Sequence, residues 1–321
     1  TLIVKMSRPS KKIKKVLILG IGGGADIIGT IPLKIHMEKI GIECFLGGLP
    51  WERYTIDPYP GPRTFESILN MNTVNESIGL VSAKTKTLDG LYFSESKFSR
   101  FVRNKVFLIN IFNSLDDIAD DLLSFCKKEK IDCVYGMDVG GDVLARGDEK
   151  GLASPLADSI MLNVLYKISN KIKTSVGILG FGSDGELNQK EILKSLELIS
   201  KKKGLISSLG IDSESYQLMK KMILSIETDA SRIPLLAYEG KYGLTPIRRG
   251  RIKVDVHPMC QITFIVDTKI LFKFVSKVSR TISKAKNIFD ASELLIKNNY
   301  PSEFNYEIKK HKEAISLKNI K

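Results

Sequence analysis

Short apolar runs alternate with helix-length amphipathic stretches through the first 200 residues, and this alternation restricts the fold more than any other feature of the chain. Lys15–Leu19 reads as a buried strand closed by Gly20. Residues 25–40 then place Ile27, Ile28, Ile31, Ile35 and Ile40 at near-helical spacing until Gly41, and Ile42–Leu46 reads as the next strand. Strand, helix, strand is a βαβ unit, because parallel strands need a crossover to return to the same edge. The pattern repeats with strands at Val106–Asn110, Ile131–Met137 and Ser175–Leu179, and helices at Leu115–Lys128, Ala157–Lys171 and Glu191–Lys202. The expected architecture over residues 16–203 is a Rossmann-like α/β core, a doubly wound and mostly parallel sheet with helices on both faces. Near residue 204 the rhythm changes to a helical stretch at Ser213–Thr228, β-rich runs at Lys253–Val256 and Gln261–Val266, and two closing helical patterns. Residues 204–321 therefore read as a smaller α+β C-terminal portion packed on that core.

Composition narrows the class. With 321 residues, 43% hydrophobic and 26% charged, the chain has enough apolar material for a core and is not a disordered one. No apolar run approaches the roughly 18 residues of a membrane span. Residues 1–15 form a basic segment, with Lys5, Arg8, Lys11, Lys12, Lys14 and Lys15 and no acid, but no apolar stretch follows as a secretory signal would require. Cys44, Cys126, Cys133 and Cys260 form no C-x-x-C pair and sit among apolar neighbours, as buried free thiols of a cytoplasmic protein would. The net charge of +13 raises a nucleic-acid partner. Lysine is spread along the chain, however, and a single tryptophan offers little stacking, so a solvated surface is the favoured reading over a nucleic-acid groove.

One motif recurs where strands should end. Glycines followed at once by an aspartate occur in Gly20-Ile-Gly22-Gly23-Gly24-Ala25-Asp26, in Asp138-Val-Gly140-Gly141-Asp142, and in Gly180-Phe-Gly182-Ser-Asp184-Gly185-Glu186. In a parallel sheet all strand carboxyl ends lie along one edge, so these loops are expected to converge on one crevice. The first loop suits a phosphate, which Gly22, Gly23 and Gly24 would cradle with backbone N–H groups at a helix N-terminus. Gly20-x-Gly22-x-x-Ala25 fits the dinucleotide pattern, but Leu46-Gly47-Gly48 supplies no acid to hold a ribose, so NAD is disfavoured. Asp26 would repel a bare phosphate unless magnesium bridges the two, and the loop is similar to the strand–glycine–aspartate loop of ATP pyrophosphatases, without their flanking serines. Asp26, Asp138 and Asp142 are the candidate metal ligands. Arg53 and Arg63, on a stiff proline-rich loop with Trp51, and Arg146, beyond the second aspartate loop, are candidate anion clamps. Asp142, Asp184 and His257 are the candidate catalytic groups. No Gly-x-Ser-x-Gly elbow, His-Glu-x-x-His or Walker loop occurs.

Four segments together resemble the archaeal domain of unknown function 1152 family: Ile18-Leu-Gly-Ile-Gly-Gly-Gly-Ala-Asp26-Ile-Ile-Gly29, Gly47-Gly-Leu-Pro-Trp51-Glu52-Arg53, Asp57-Pro with Pro60-Gly61-Pro62-Arg63, and Gly140-Gly141-Asp142 with Arg146-Gly147-Asp148-Glu149. Ala25 stands where that pattern leads one to expect a fourth glycine. The resemblance implies a compact α/β protein and no assigned activity. The expectation is thus a protein that binds a phosphorylated ligand, ATP or another nucleotide first, with magnesium at the strand carboxyl ends, acting as a transferase or hydrolase. A non-enzymatic binding or scaffold protein is the alternative class, and homo-oligomerisation stays open.

Overall fold

The computed structural model describes residues 13–318, so most of the basic segment at 1–15 lies outside the described residues. A nine-stranded sheet organises the chain. Its strands are β1 (Lys15–Gly20), β2 (Glu43–Gly48), β3 (Asn72–Thr73), β4 (Ile78–Val81), β5 (Val106–Ile109), β6 (Cys133–Val139), β7 (Lys173–Leu179), β8 (Leu205–Gly210) and β9 (Ile262–Asp267). Their order across the sheet is β8-β9-β7-β6-β1-β2-β5-β4-β3. The five central strands β7, β6, β1, β2 and β5 run parallel, and antiparallel pairs close both flanks. The fold is therefore mixed α/β with a parallel centre.

Two features of the flanks add to the sequence reading. Residues between 66 and 106 carried no predicted strand, yet β3 and β4 extend one edge of the sheet. At the other edge, β8 and β9 lie beyond residue 203 but belong to the same sheet, so the change of rhythm near 204 marks a switch to antiparallel pairing. The hairpin of Gly243–Ile247 and Ile252–Val256 stays outside that sheet as a separate ribbon.

Side-chain alternation explains the layering. On β1, Leu17 and Leu19 enter one apolar cluster while Val16 and Ile18 enter another on the opposite face, as a strand buried on both sides requires. The first cluster is completed by α1 (Leu115–Glu129), α2 (Leu156–Ile168) and α3 (Gln189–Lys201). On α1, Leu115, Ile118, Leu122, Phe125 and Cys126 form the buried stripe, and Ser114 caps the helix by accepting from Asp117 N. α3 starts on a reciprocal capping box between Asn188 and Glu191. All four cysteines are buried and unpaired, and burial pushes Cys44 and Cys126 up to about 12, so these thiols are inert.

The chain passes from β1 outward through β2 to β5, then returns to the other side of β1 as β6 and continues to β7. The switch in direction falls between β1 and β6, where the loops after these strands diverge and leave a crevice.

Candidate functional site

That crevice holds a cavity of about 110 Å³. Asp26, at the head of the 3₁₀ turn Asp26–Thr30, and Asp142 and Asp184, on the loops after β6 and β7, all line it. Asp158, in the first turn of α2, joins them from the second layer. The carboxylates form two triads. Oxygens of Asp26, Asp138 and Asp158 lie within 4.8 Å of one another, and so do those of Asp142, Asp184 and Glu186.

The hydrogen bonds divide these acids into those that hold the loops and those with capacity to spare. Asp138 accepts from Gly141 N and Val143 N at 3.1 Å each, one on each oxygen, so it shapes the loop that carries Asp142. Glu186 accepts from Ala153 N and Ser154 N, from the Ser154 hydroxyl, and from Arg248 at 3.0 Å. Asp26 accepts from Gly22 N at 3.0 Å and Val139 N at 3.4 Å through the same oxygen, tying the ends of β1 and β6 together. Asp158 differs from all of these. It is 1% exposed, and among the described residues neither of its carboxylate oxygens has a hydrogen-bond partner.

Two glycines make this crowding sterically feasible. A Cβ at Gly22 would sit 2.7 Å from Asp26 Oδ2 and 2.9 Å from Asp158 Oδ2, and one at Gly140, where φ is +146°, would sit 2.1 Å from Asp184 Oδ2. The glycines of these loops thus admit carboxylates to the backbone. Ala25 has φ +84°, a left-handed conformation that glycine adopts at no steric cost, which accounts for the glycine expected there.

Electrostatically the site is strained. Burial, then mutual repulsion, pushes Asp26, Asp142, Asp158 and Asp184 well above the usual carboxylate range, and burial holds Asp138 up at about 7. Arg53 and Arg248 are the cationic side chains lining the cavity. Asp229 organises both, 3.5 Å from Arg53 Nη1 and accepting from Arg248 N at 2.8 Å. Arg248 and Arg249 both have positive φ, so a left-handed pair of bulky residues delivers the Arg248 side chain to Glu186.

Several acids and the second arginine had no sequence signal of their own. Glu303 and Glu307 come from α4 (Glu303–Lys318) and line the cavity about 280 residues after Asp26. Glu303 accepts from Leu156 N and Ala157 N, supplying α2 with the N-terminal acceptor that Pro155 lacks. Glu307 accepts from Trp51 Nε1 at 3.0 Å and Gly61 N at 2.8 Å, so the proline-rich loop is pinned from the other end of the chain. Burial raises Glu303 to about 8 and Glu307 to about 7.

Other predicted residues lie elsewhere. Arg63 is 7% exposed and makes a bidentate pair with Asp57, at 2.7 Å for each bond, plus a contact with Asp89. Arg146 forks onto Asp148 beside it. His257 packs edge-on against Phe181 at 5.3 Å, and burial lowers its pKa. None of these three lines the cavity. In the glycine loop, Gly22 N donates to Asp26 and Gly24 N to Trp51 O, so those two amides are turned away from an incoming anion.

A family model described as protein of unknown function (DUF1152) matches residues 17–311, so the chain belongs to that family. No curated protein and no solved structure matches it.

Proposed function

We propose that this DUF1152 member binds a phosphorylated ligand, a nucleotide before other classes, through a divalent cation held in the crevice between β1 and β6, and that it carries out transfer or hydrolysis at the phosphate. One observation carries the reading. Asp158 is a carboxylate removed from water with both oxygens unpartnered, in a triad with two further acids. A buried charge of this kind is costly unless an ion or proton compensates it. The donor set is all oxygen, which suits magnesium over the softer transition metals. Asp26, Asp138 and Asp158 would hold the ion, with Asp142 and Asp184 beside them. When bound, magnesium neutralises the carboxylates and polarises a phosphoryl oxygen.

The remaining roles follow from position. At about 110 Å³ the cavity takes an ion with part of its hydration shell, or a phosphoryl group in place of that water, since a water occupies about 30 Å³. The rest of the ligand must lie outside, towards Arg53 and Arg248, whose guanidinium groups match phosphate geometry. Asp142 and Asp184 line the cavity and would take a proton from an attacking hydroxyl. Gly22–Gly24 serve to bring Asp26 against the backbone more than to cradle the anion, because two of their amides are already bonded.

The test is thermal unfolding with millimolar magnesium and ATP, GTP or a sugar phosphate, followed in parallel by fluorescence of the lone Trp51, which forms part of the cavity wall. Ligand at 100 times Kd should add about 2.7 kcal/mol. Asp26→Asn and Asp142→Asn should remove that response while the protein stays folded. A melting temperature unmoved by every combination overturns the proposal, and a response that survives both substitutions places the ligand elsewhere.

A further inference from the structure

The sheet ends in an open edge. β8 pairs with β9 on one side, and among the described residues no strand pairs with its other side. Its sequence, Leu-Ile-Ser-Ser-Leu-Gly, contains neither charge nor proline, and Leu205 and Ile206 are 40% and 48% exposed. Proteins normally blunt such an edge with lysine, proline, a covering helix or a short strand, because its free N–H and C=O groups template pairing with another chain. β8 is six residues long and carries neither lysine nor proline, and its register with β9 shifts once, between Leu205 and Ser207.

The flanks of the strand are polar in opposite senses. Lys201, Lys202 and Lys203 precede it, and Asp212 and Glu214 follow it. The two acids are 46% and 63% exposed, and Lys39 from the chain's own first helix, Ile31–Lys39, already approaches both. A basic entry and an acidic exit complement themselves when a second copy runs antiparallel. We propose that β8 is a homodimer interface in which two copies join edge to edge about a two-fold axis normal to the sheet, giving one continuous sheet across both chains.

The symmetry fixes the register closely. A two-fold normal to the sheet keeps each side chain on its own face, so the residue at the axis must oppose itself. The centre of the strand offers Ser207 or Ser208 for that place. With either serine on the axis, the basic entry of one copy, Lys201–Lys203, comes to the end of the strand where the second copy carries its acidic exit, Asp212 and Glu214. Either arrangement sets opposite charges against each other and covers Ile206.

Sedimentation equilibrium of the full chain tests this. The expected particle has twice the 35.8 kDa of the chain. Ile206→Lys and Ser208→Pro should each weaken the dimer by about tenfold or more, the first by charging the edge and the second by removing a ladder donor. Circular dichroism and the magnesium response should be unchanged, because no residue of β8 lines the crevice. A monomer at every accessible concentration overturns the proposal, and so does a dimer that survives both substitutions. Neither result bears on ligand binding, and loss of the cation response alone leaves this interface standing.

Discussion

Replacing Asp158 by asparagine isolates the physical argument behind the site. The side chain keeps its shape and loses its charge. Two ionised carboxylates 4.8 Å apart, the limit within which the first triad falls, repel by about 3.5 kcal/mol at an effective dielectric of about 20. Asp158 faces two such neighbours, and protonation relieves part of the sum, so the net relief without cation should be a few kcal/mol. The new amide N–H group also gives Asp26 or Asp138 a donor. With an unfolding entropy of about 2.1 cal/mol/K per residue, a chain of 321 residues gains about 1.5 °C per kcal/mol. Asp158→Asn should therefore melt several degrees higher than the wild type in chelator. Wild type should gain about 4 °C from magnesium or manganese at 100 times Kd, and the variant should gain almost nothing. Differential scanning calorimetry with and without cation reads both effects. A variant that is less stable in chelator, or that responds to cation as the wild type does, refutes the claim that Asp158 is an uncompensated charge awaiting an ion.

Three other substitutions separate structure from binding. Arg63→Ala breaks a buried bidentate pair and strands Asp57, so it should cost about 3–5 kcal/mol in urea unfolding while the cation-induced shift persists. Arg248→Ala should weaken a phosphorylated ligand about tenfold or more in calorimetric titration and leave the magnesium-only response intact, since Arg248 stands at the mouth and touches Glu186. Glu307→Gln probes pH. Burial raises Glu307 from 4.5 to about 7, so between these values the folded chain holds more protons than the unfolded one and stability falls as pH rises. The full cost above pH 7 is about 3 kcal/mol at 1.36 kcal/mol per unit. Both donors to Glu307 converge on one oxygen, which glutamine retains, so the variant should be more stable than wild type at pH 8 and lose part of the decline from pH 5 to 7. An unchanged pH profile contradicts this assignment.

The sequence by itself determined the parallel centre of the sheet and the three loops that meet at its edge. Both are local properties, since strand and helix periods can be counted along the chain, and in a parallel sheet strand carboxyl ends share an edge whatever the strand order. Asp26, Asp142 and Asp184 were legible for that reason. Arg63 and Arg146 carry the residue type that binds anions, and nothing local distinguishes an arginine facing a cavity from one consumed by an aspartate two or six residues away. Asp158 is of the residue type that caps helices, and only the packing of α2 behind the glycine loop shows that it caps nothing and faces two other acids. Glu303, Glu307 and Arg248 reach the cavity from parts of the chain with no motif. Their positions depend on how a C-terminal helix and a hairpin tip dock against the sheet, a matter of long-range packing and desolvation, to which residue spacing along the chain is blind.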